Sequence, residues 1–263
     1  MPASERAAIA DRLARAVREG GDLALTTFNA SLKHWIKGKD SPVSEADIAV
    51  DNLLRERLLA IVPDAGWLSE ETEDDPARLS KRRVWVVDPI DGTRAYIAGL
   101  VDWTISAALV EDGRPIVAAL FAPAENEFFS AIVGEGAICN AQRIVATEGE
   151  SLDGARLSGP RRTVEQLAVA VPNIMALPRV HSLALRFARV AQGRLDAALS
   201  GGNSHDWDLA AADLLVHEAC GALTTLAGDR ILYNRPEPVH GPLVAAGRLR
   251  HEALRKALDP LKT

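Results

Sequence analysis

The sequence predicts an α+β / α/β fold, and three observations point to it. Apolar residues recur at helical spacing over two segments near the start. β-prone runs punctuated by turn residues fill the middle, and short strands alternate with helices toward the end. The chain has 263 residues and is 48% hydrophobic, enough to bury a sizeable core as one large domain or two small ones.

The first helix is expected over residues 5–30, where Ile9, Leu13, Ala16 and Val17 recur about a turn apart. Gly20 and Gly21 interrupt it, so it either stops there or continues at some cost. SLKHWIKGKDSPVSEAD reads as a polar, lysine-rich connection. A second helix is expected from Ser44, with Ser44 and Asp47 as a capping arrangement. Ile48, Leu53, Leu54, Leu58 and Ile61 form its apolar stripe, and Pro63 ends it.

Strands follow. AGWLSEE is short, RRVWVVDP is a clear strand, and TISAALVEDGRPIVAALFAP reads as two strands joined at Asp112-Gly113, a strong hairpin signal. EFFSAIVGEGAICN continues the pattern, with Gly134-Glu135-Gly136 as a strand turn. The N-terminal part, 1–148, is thus expected to hold two helices and a largely antiparallel sheet. Polar residues and glycines gather at 148–153 and mark a weak boundary. The C-terminal part, 149–263, mixes short strands with helices in RVHSLALRFARVAQG, WDLAAADLLVHEACG and HEALRKALDPL.

Composition narrows the function. The formal net charge is −6, which argues against a nucleic-acid polymer or an anionic membrane as partner. Cys139 and Cys220 lie far apart and read as two buried free thiols in a reducing cytosol. The N-terminus lacks a signal-peptide core, and no run approaches the ~18 apolar residues of a membrane span. A cytoplasmic location is expected.

The chemistry is concentrated in VWVVDPIDGT, residues 84–93. A continuous apolar run suits a strand buried on both faces. Pro89 has no N–H, so the ladder is expected to fail there, leaving Asp88 at the strand end and Asp91 in the following turn. Gly92 permits an unusual backbone angle, and a helix starting at Thr93 would offer free N–H groups beside the two acids. Carboxylates held close repel unless a cation lies between them, and hard oxygen ligands beside an anion pocket suit Mg²⁺ and a phosphate. Taken alone, Asp-x-x-Asp-Gly also reads as a common surface turn. Glu70 and Glu71 follow a strand, Asp47 lies early in its helix, and Asp208 sits where another helix starts. Each has an ordinary reading as a surface charge or a cap. The sequence has no G-x-S-x-G, zinc-type histidine spacing or G-x-x-x-x-G-K-[ST] loop.

Four motifs, in order, resemble those of the inositol monophosphatase family, Mg²⁺-dependent and typically lithium-sensitive phosphomonoesterases. They are Ser41-Pro42-Val43-Ser44-Glu45-Ala46-Asp47, Ser69-Glu70-Glu71-Thr72, Asp88-Pro89-Ile90-Asp91-Gly92-Thr93 and Trp207-Asp208-Leu209-Ala210-Ala211. The set spans nearly the whole chain. The resemblance implies a layered αβαβα fold, a homodimer and a small phosphate ester as substrate. It implies one Mg²⁺ on Glu70, Asp88 and the carbonyl of Ile90, and a second on Asp88, Asp91 and Asp208. A weaker third would use Glu70, and Mn²⁺ is an alternative. Thr93 with Asp47 would orient the attacking water, helped by Glu70. The N–H groups of Gly92 and Thr93 would hold phosphate oxygens. The 1–148 part would then carry most metal ligands, and 149–263 would supply Asp208 and a substrate loop at 200–205, where Asn203 and His205 are candidate contacts.

The substrate is less determined. The family's inositol phosphatases usually follow the Asp-Gly with G-T-x-N-[FY]; here Arg94 and Ala95 precede Tyr96. A basic residue there is more usual in the nucleotidase and histidinol-phosphatase branches, and Leu232-Tyr233-Asn234-Arg235-Pro236 also resembles the nucleotidases. Arg94 could take a second phosphate. Inositol monophosphate is therefore expected first, adenosine bisphosphate close behind and histidinol phosphate third. A non-catalytic phosphate-ligand sensor is the reading from a different class.

Overall fold

The computed structural model describes residues 1–28, 34–37, 41–171 and 173–259. In chain order the elements are α1 (Ala3–Thr27), β1 (His34–Lys37), β2 (Ser41–Ser44), α2 (Glu45–Leu59), β3 (Gly66–Ser69), β4 (Arg83–Asp91) and α3 (Thr93–Ile97). There follow β5 (Thr104–Glu111), β6 (Arg114–Ala122), β7 (Glu127–Ile132), β8 (Gly136–Cys139), β9 (Gln142–Ile144), β10 (Arg156–Ser158) and α4 (Arg161–Ala170). The chain continues through β11 (Met175–Ala176), α5 (Leu183–Ala191), β12 (Ala197–Ser200), β13 (Ser204–His205) and α6 (Asp206–Glu218). It closes with β14 (Gly221–Thr225), β15 (Val239–His240), β16 (Leu243–Gly247) and α7 (Arg248–Leu258).

Five layers result. A seven-stranded sheet in the order β3-β4-β5-β6-β7-β8-β9 is antiparallel except for the β3–β4 pair. One face carries Trp85, Val87, Ile105 and Ala107 against α1 and α2. The other carries Val84, Val86, Ala108 and Leu120 against α5 and α6. A five-stranded sheet, β11-β10-β12-β16-β14, lies beyond those helices, and Leu157, Leu199 and Val244 on its far face pack on α4 and α7. The order αβαβα is the layered fold expected, and alternation along β4 explains why a strand with both faces covered reads as unbroken hydrophobicity.

One open alternative is resolved and two local expectations are corrected. α1 runs through Gly20 and Gly21 without a break. A Cβ on Gly21 would come within 2.3 Å of the Phe121 ring, so the glycine lets the helix approach the sheet. The lysine-rich connection contains an antiparallel pair, β1 with β2. Cys139 is buried as expected, but Cys220 is exposed at φ +63° just after α6. The Asp112-Gly113 turn is present, with both residues at positive φ between β5 and β6.

The third correction shapes the site. β4 does not leave the sheet at Pro89. Asp88 pairs with Ser106 and Asp91 with Thr104, with a register shift between them. Three steps on β4 thus match two on β5, a bulge holding the extra residue. In a regular strand, residues three apart point to opposite faces. Ser106 and Thr104 share a face of β5, so the bulge turns Asp88 and Asp91 to the same side.

Candidate active site

Asp88 lies at this bulge, 1% exposed, and neither of its carboxylate oxygens has a hydrogen-bond partner among the described residues. Asp91 is buried beside it. Its Oδ2 accepts from Ser182 Oγ at 2.6 Å and from the Ala184 N–H at 2.7 Å, at the start of α5. Asp208 occupies the first turn of α6, where Oδ2 accepts the His205 N–H at 2.6 Å. Asp88, Asp91 and Asp208 each offer an oxygen, and the three atoms lie within 4.8 Å of one another.

Glu70 follows β3 and lines the same cleft. Its backbone N–H reaches the Val87 carbonyl, and the loop is tied to α2 through Asp51. That carboxylate accepts from Ser69 Oγ and, at 2.6 Å, from Thr72 Oγ1. One turn earlier on α2, Asp47 is 1% exposed. Its Oδ2 takes the Ser44 N–H at 2.8 Å and hydroxyl at 2.6 Å, completing the capping box expected there. Its Oδ1 lies 3.1 Å from Thr93 Oγ1, which is also 3.0 Å from the Ile90 carbonyl. Gly92 has φ +94° and caps α3, packed against Asp102 O and Ser182.

Burial and mutual repulsion dominate the electrostatics. Burial first, then Glu70, Asp91 and Asp208, push the Asp88 carboxyl well above the usual range. Burial and Asp91 do the same to Asp208. Asp91 is raised by burial, partly offset by the Ser182 and Ala184 donors. Asp47 is raised by burial, partly offset by its Ser44 and Thr93 hydrogen bonds. The donor-free buried oxygens of Asp88, in an all-carboxylate set, fit a hard divalent cation, which would relieve repulsion that the Ser182 and Ala184 donors to Asp91 offset only in part.

Two adjoining cavities open from the cluster. One, about 420 Å³, is lined by Glu70, Asp91, Gly92, Thr93, Arg94, Arg179, His181 and Asp208. The second, about 330 Å³, shares Arg179, His181 and Asp208 and adds Arg186, Asn203 and Ser204. Asn203, at φ +58°, therefore stands in the wall of the second cavity. His205 lines neither; its ring stacks on Trp207 with centroids 4.5 Å apart and planes 3° from parallel.

Sequence reasoning missed Asp51, Asp102, Arg179, His181, Ser182 and Arg186. Buried Arg186 donates to the carbonyls of Val180 and Leu199. Burial, then nearby Arg179, lower its pKa to about 10 against the opposing pull of Asp91 and Asp102. Only Ser182 carries a local signal, as a serine opening an apolar helical run.

Comparison with known proteins gives consistent results. The model of the Inositol monophosphatase family matches residues 5–262. The chain is 34% identical to the Nus factor SuhB of Xylella fastidiosa over 82% of this chain and 81% of that one. It is 30% identical to the inositol-1-monophosphatase of Rhizobium meliloti, covering 85% and 87%. It is 31% identical to the histidinol-phosphatase of Mycobacterium tuberculosis, covering 83% and 85%. The solved structure of the Thermotoga maritima IMPase superposes with a TM-score of 0.82 at 26% identity, over 94% of this chain and 95% of that one.

Proposed function

Because this chain belongs to the inositol monophosphatase family of phosphoric monoester hydrolases, we propose that it hydrolyses a small phosphate ester with Mg²⁺, inositol monophosphate being the first candidate substrate. The observation that carries the metal-dependent reading is Asp88, a buried carboxylate whose oxygens meet other carboxylates and no donor. Glu70, Asp88 and the Ile90 carbonyl would hold one cation, and Asp88, Asp91 and Asp208 a second; a weaker third would use Glu70, and Mn²⁺ suits the same oxygens. When bound, the cations supply a lowered water pKa and neutralise charge on the phosphate.

The chain's own residues do the rest. The Thr93 hydroxyl, facing Asp47 Oδ1, orients the attacking water and passes a proton toward that carboxylate. Ser44 occupies the other Asp47 oxygen, so the acceptor is fixed in place. Glu70 borders the same space. The N–H groups of Gly92 and Thr93 face phosphate oxygens at a turn that only a positive-φ residue makes readily. A sensor has no need of the Thr93–Asp47 pair.

Adenosine bisphosphate is the second reading, favoured by Arg94 and Arg179 in the cavity wall. Histidinol phosphate is third. Lithium sensitivity, a homodimer and a cytoplasmic setting are part of the proposal, resting on the family; among the described residues no helix is long and apolar enough to cross a membrane.

Phosphate release with Mg²⁺ from the three esters tests the proposal. A hundredfold preference in kcat/KM, about 2.7 kcal/mol of differential transition-state binding, names the substrate. No release from any of them, with Asp91→Asn indistinguishable from the parent, would leave the sensor.

A further inference from the structure

Arg78 belongs to none of the roles above, yet its side chain is buried and every N–H of its guanidinium is used. Nε and Nη2 donate to the two oxygens of Asp74 at 2.5 and 2.8 Å. Nη1 donates to Asn234 Oδ1 at 2.7 Å, and both terminal nitrogens donate to the Arg235 carbonyl at 3.1 Å. The Asn234 side-chain amide donates back to the Arg78 carbonyl at 3.3 Å. A planar fork with donors on three nitrogens fills such a set; a lysine ammonium, with its donors on one atom, does not.

Each end of this clasp leads in short steps to an acid of the cluster. Arg78 lies in a 3-10 turn, Pro76–Ser80, packed on β3: a Cβ on Gly66 would come within 2.9 Å of the Arg78 Cβ. β3 runs directly into Glu70. At the other end the Asn234 N–H donates to Asp206 Oδ2 at 2.7 Å. Asp206 is buried and opens α6; its Oδ1 lies 2.6 Å from His240 Nε2, and its N–H donates to the Pro238 carbonyl. Asp208 follows in the same turn. Asp88 and Asp91 share β4, but Glu70 and Asp208 come from distant segments, and both crowd Asp88. The clasp joins those segments across 156 positions of chain. Asn234 and Arg235 line neither cavity, so this stretch meets Arg78 rather than the space open to a ligand.

We propose that Arg78 and Asn234 are positioning residues for the candidate cation site, holding the Glu70 and Asp208 segments at the spacing a divalent cation requires. This rests on the phosphatase reading. Neither residue touches cation or ester.

Mg²⁺ binding by calorimetry tests this, with phosphate release beside it. Asn234→Gly keeps the N–H to Asp206 and tolerates φ +57°, and it removes only the side chain that meets Arg78. Its Mg²⁺ Kd should rise by about tenfold. Arg78→Lys keeps the charge and loses the fork, and should shift the Kd at least as far. At saturating Mg²⁺ both variants should keep the parent's KM for whichever of the three esters it hydrolyses. Leu254→Val, a truncation on the buried face of α7, controls for stability: it should lower the Tm and leave the Mg²⁺ Kd unchanged. An unchanged Kd in Asn234→Gly, or an equal rise in Leu254→Val, overturns the clasp while the phosphatase reading stands. If Arg78→Lys does not fold, Asn234→Gly decides alone. A parent that neither takes up Mg²⁺ nor releases phosphate overturns that reading and the clasp together.

Discussion

The Thr93 hydroxyl faces Oδ1 of Asp47 across 3.1 Å, joining the first turns of two helices, α2 and α3. Thr93→Ala removes the hydroxyl and leaves every acid of the cluster in place. Its kcat should fall by roughly 10²- to 10⁴-fold, the usual contribution of a positioned proton-transfer group. Mg²⁺ binding by calorimetry should be nearly unchanged. Because the two residues act as a unit, Thr93→Ala combined with Asp47→Asn should be little worse than either alone. Undiminished turnover in Thr93→Ala removes that residue from the mechanism.

Asp88 is a buried carboxylate without a donor, crowded by Glu70, Asp91 and Asp208, so function and stability oppose each other there. Asp88→Asn should abolish turnover and yet stabilise the metal-free protein by about 1–2 kcal/mol, a modest share of the cost of an uncompensated buried charge. At this chain length that amounts to a Tm higher by roughly 2–8 °C. Added Mg²⁺ should raise the Tm of the parent and leave the variant's where it was. A variant that melts lower without metal would contradict the account.

Asp51 acts on Glu70 from a distance, through Ser69 and Thr72. Asp51→Ala frees the Glu70 loop from α2. The expected result is a Mg²⁺ requirement raised about tenfold, with a smaller loss at saturating metal. Asp51→Asn keeps one acceptor oxygen and should recover part of the affinity. Equal metal dependence in all three proteins would show that the loop is held by other contacts.

His251 gives a pH dependence separate from the metal cluster. Its Nε2 meets Thr224 Oγ1 at 3.0 Å beneath α7, and burial, then Arg255, depress its pKa to about 4. The unfolded chain takes up the proton near the ordinary histidine value of ~6.5, the folded one only near 4. The contribution is therefore complete above about pH 6.5 and lost as pH falls toward 4, on the order of 3 kcal/mol in all. Urea unfolding at several pH values should show this slope in the parent, and a flatter one in His251→Gln. Identical slopes would assign acid sensitivity elsewhere.

Much of this was legible because the acids of the candidate metal site sit in short motifs with local reasons to be where they are. Asp47 and Asp208 occupy first turns, where helix capping and cleft geometry coincide. Asp88 and Asp91 were legible as a pair, but their common direction was not. It arises from a bulge that exists only because β5 pairs on both sides of Pro89 and Ile90. Asp102 and His181 were invisible for a related reason: they meet at the cleft through a contact 79 positions apart in the chain. The β1–β2 pair was hidden because the segment around it reads as a polar, lysine-rich connection until a partner strand is seen.

α6 lies in the middle layer, with Asp208 at one end and Ala210, Ala211 and Ala212 buried along it. Cutting the chain in the 148–153 loop would separate Asp88 and Asp91 on one fragment from Asp208 on the other. The first fragment would present Val84, Val86, Ala108 and Leu120 to water, an adhesive face whose natural cover is the second. Neither piece would own a full set of acid oxygens. Reassembly and turnover would become one event, which makes the enzyme suited to fragment complementation, with liberated phosphate as the signal that two halves have met.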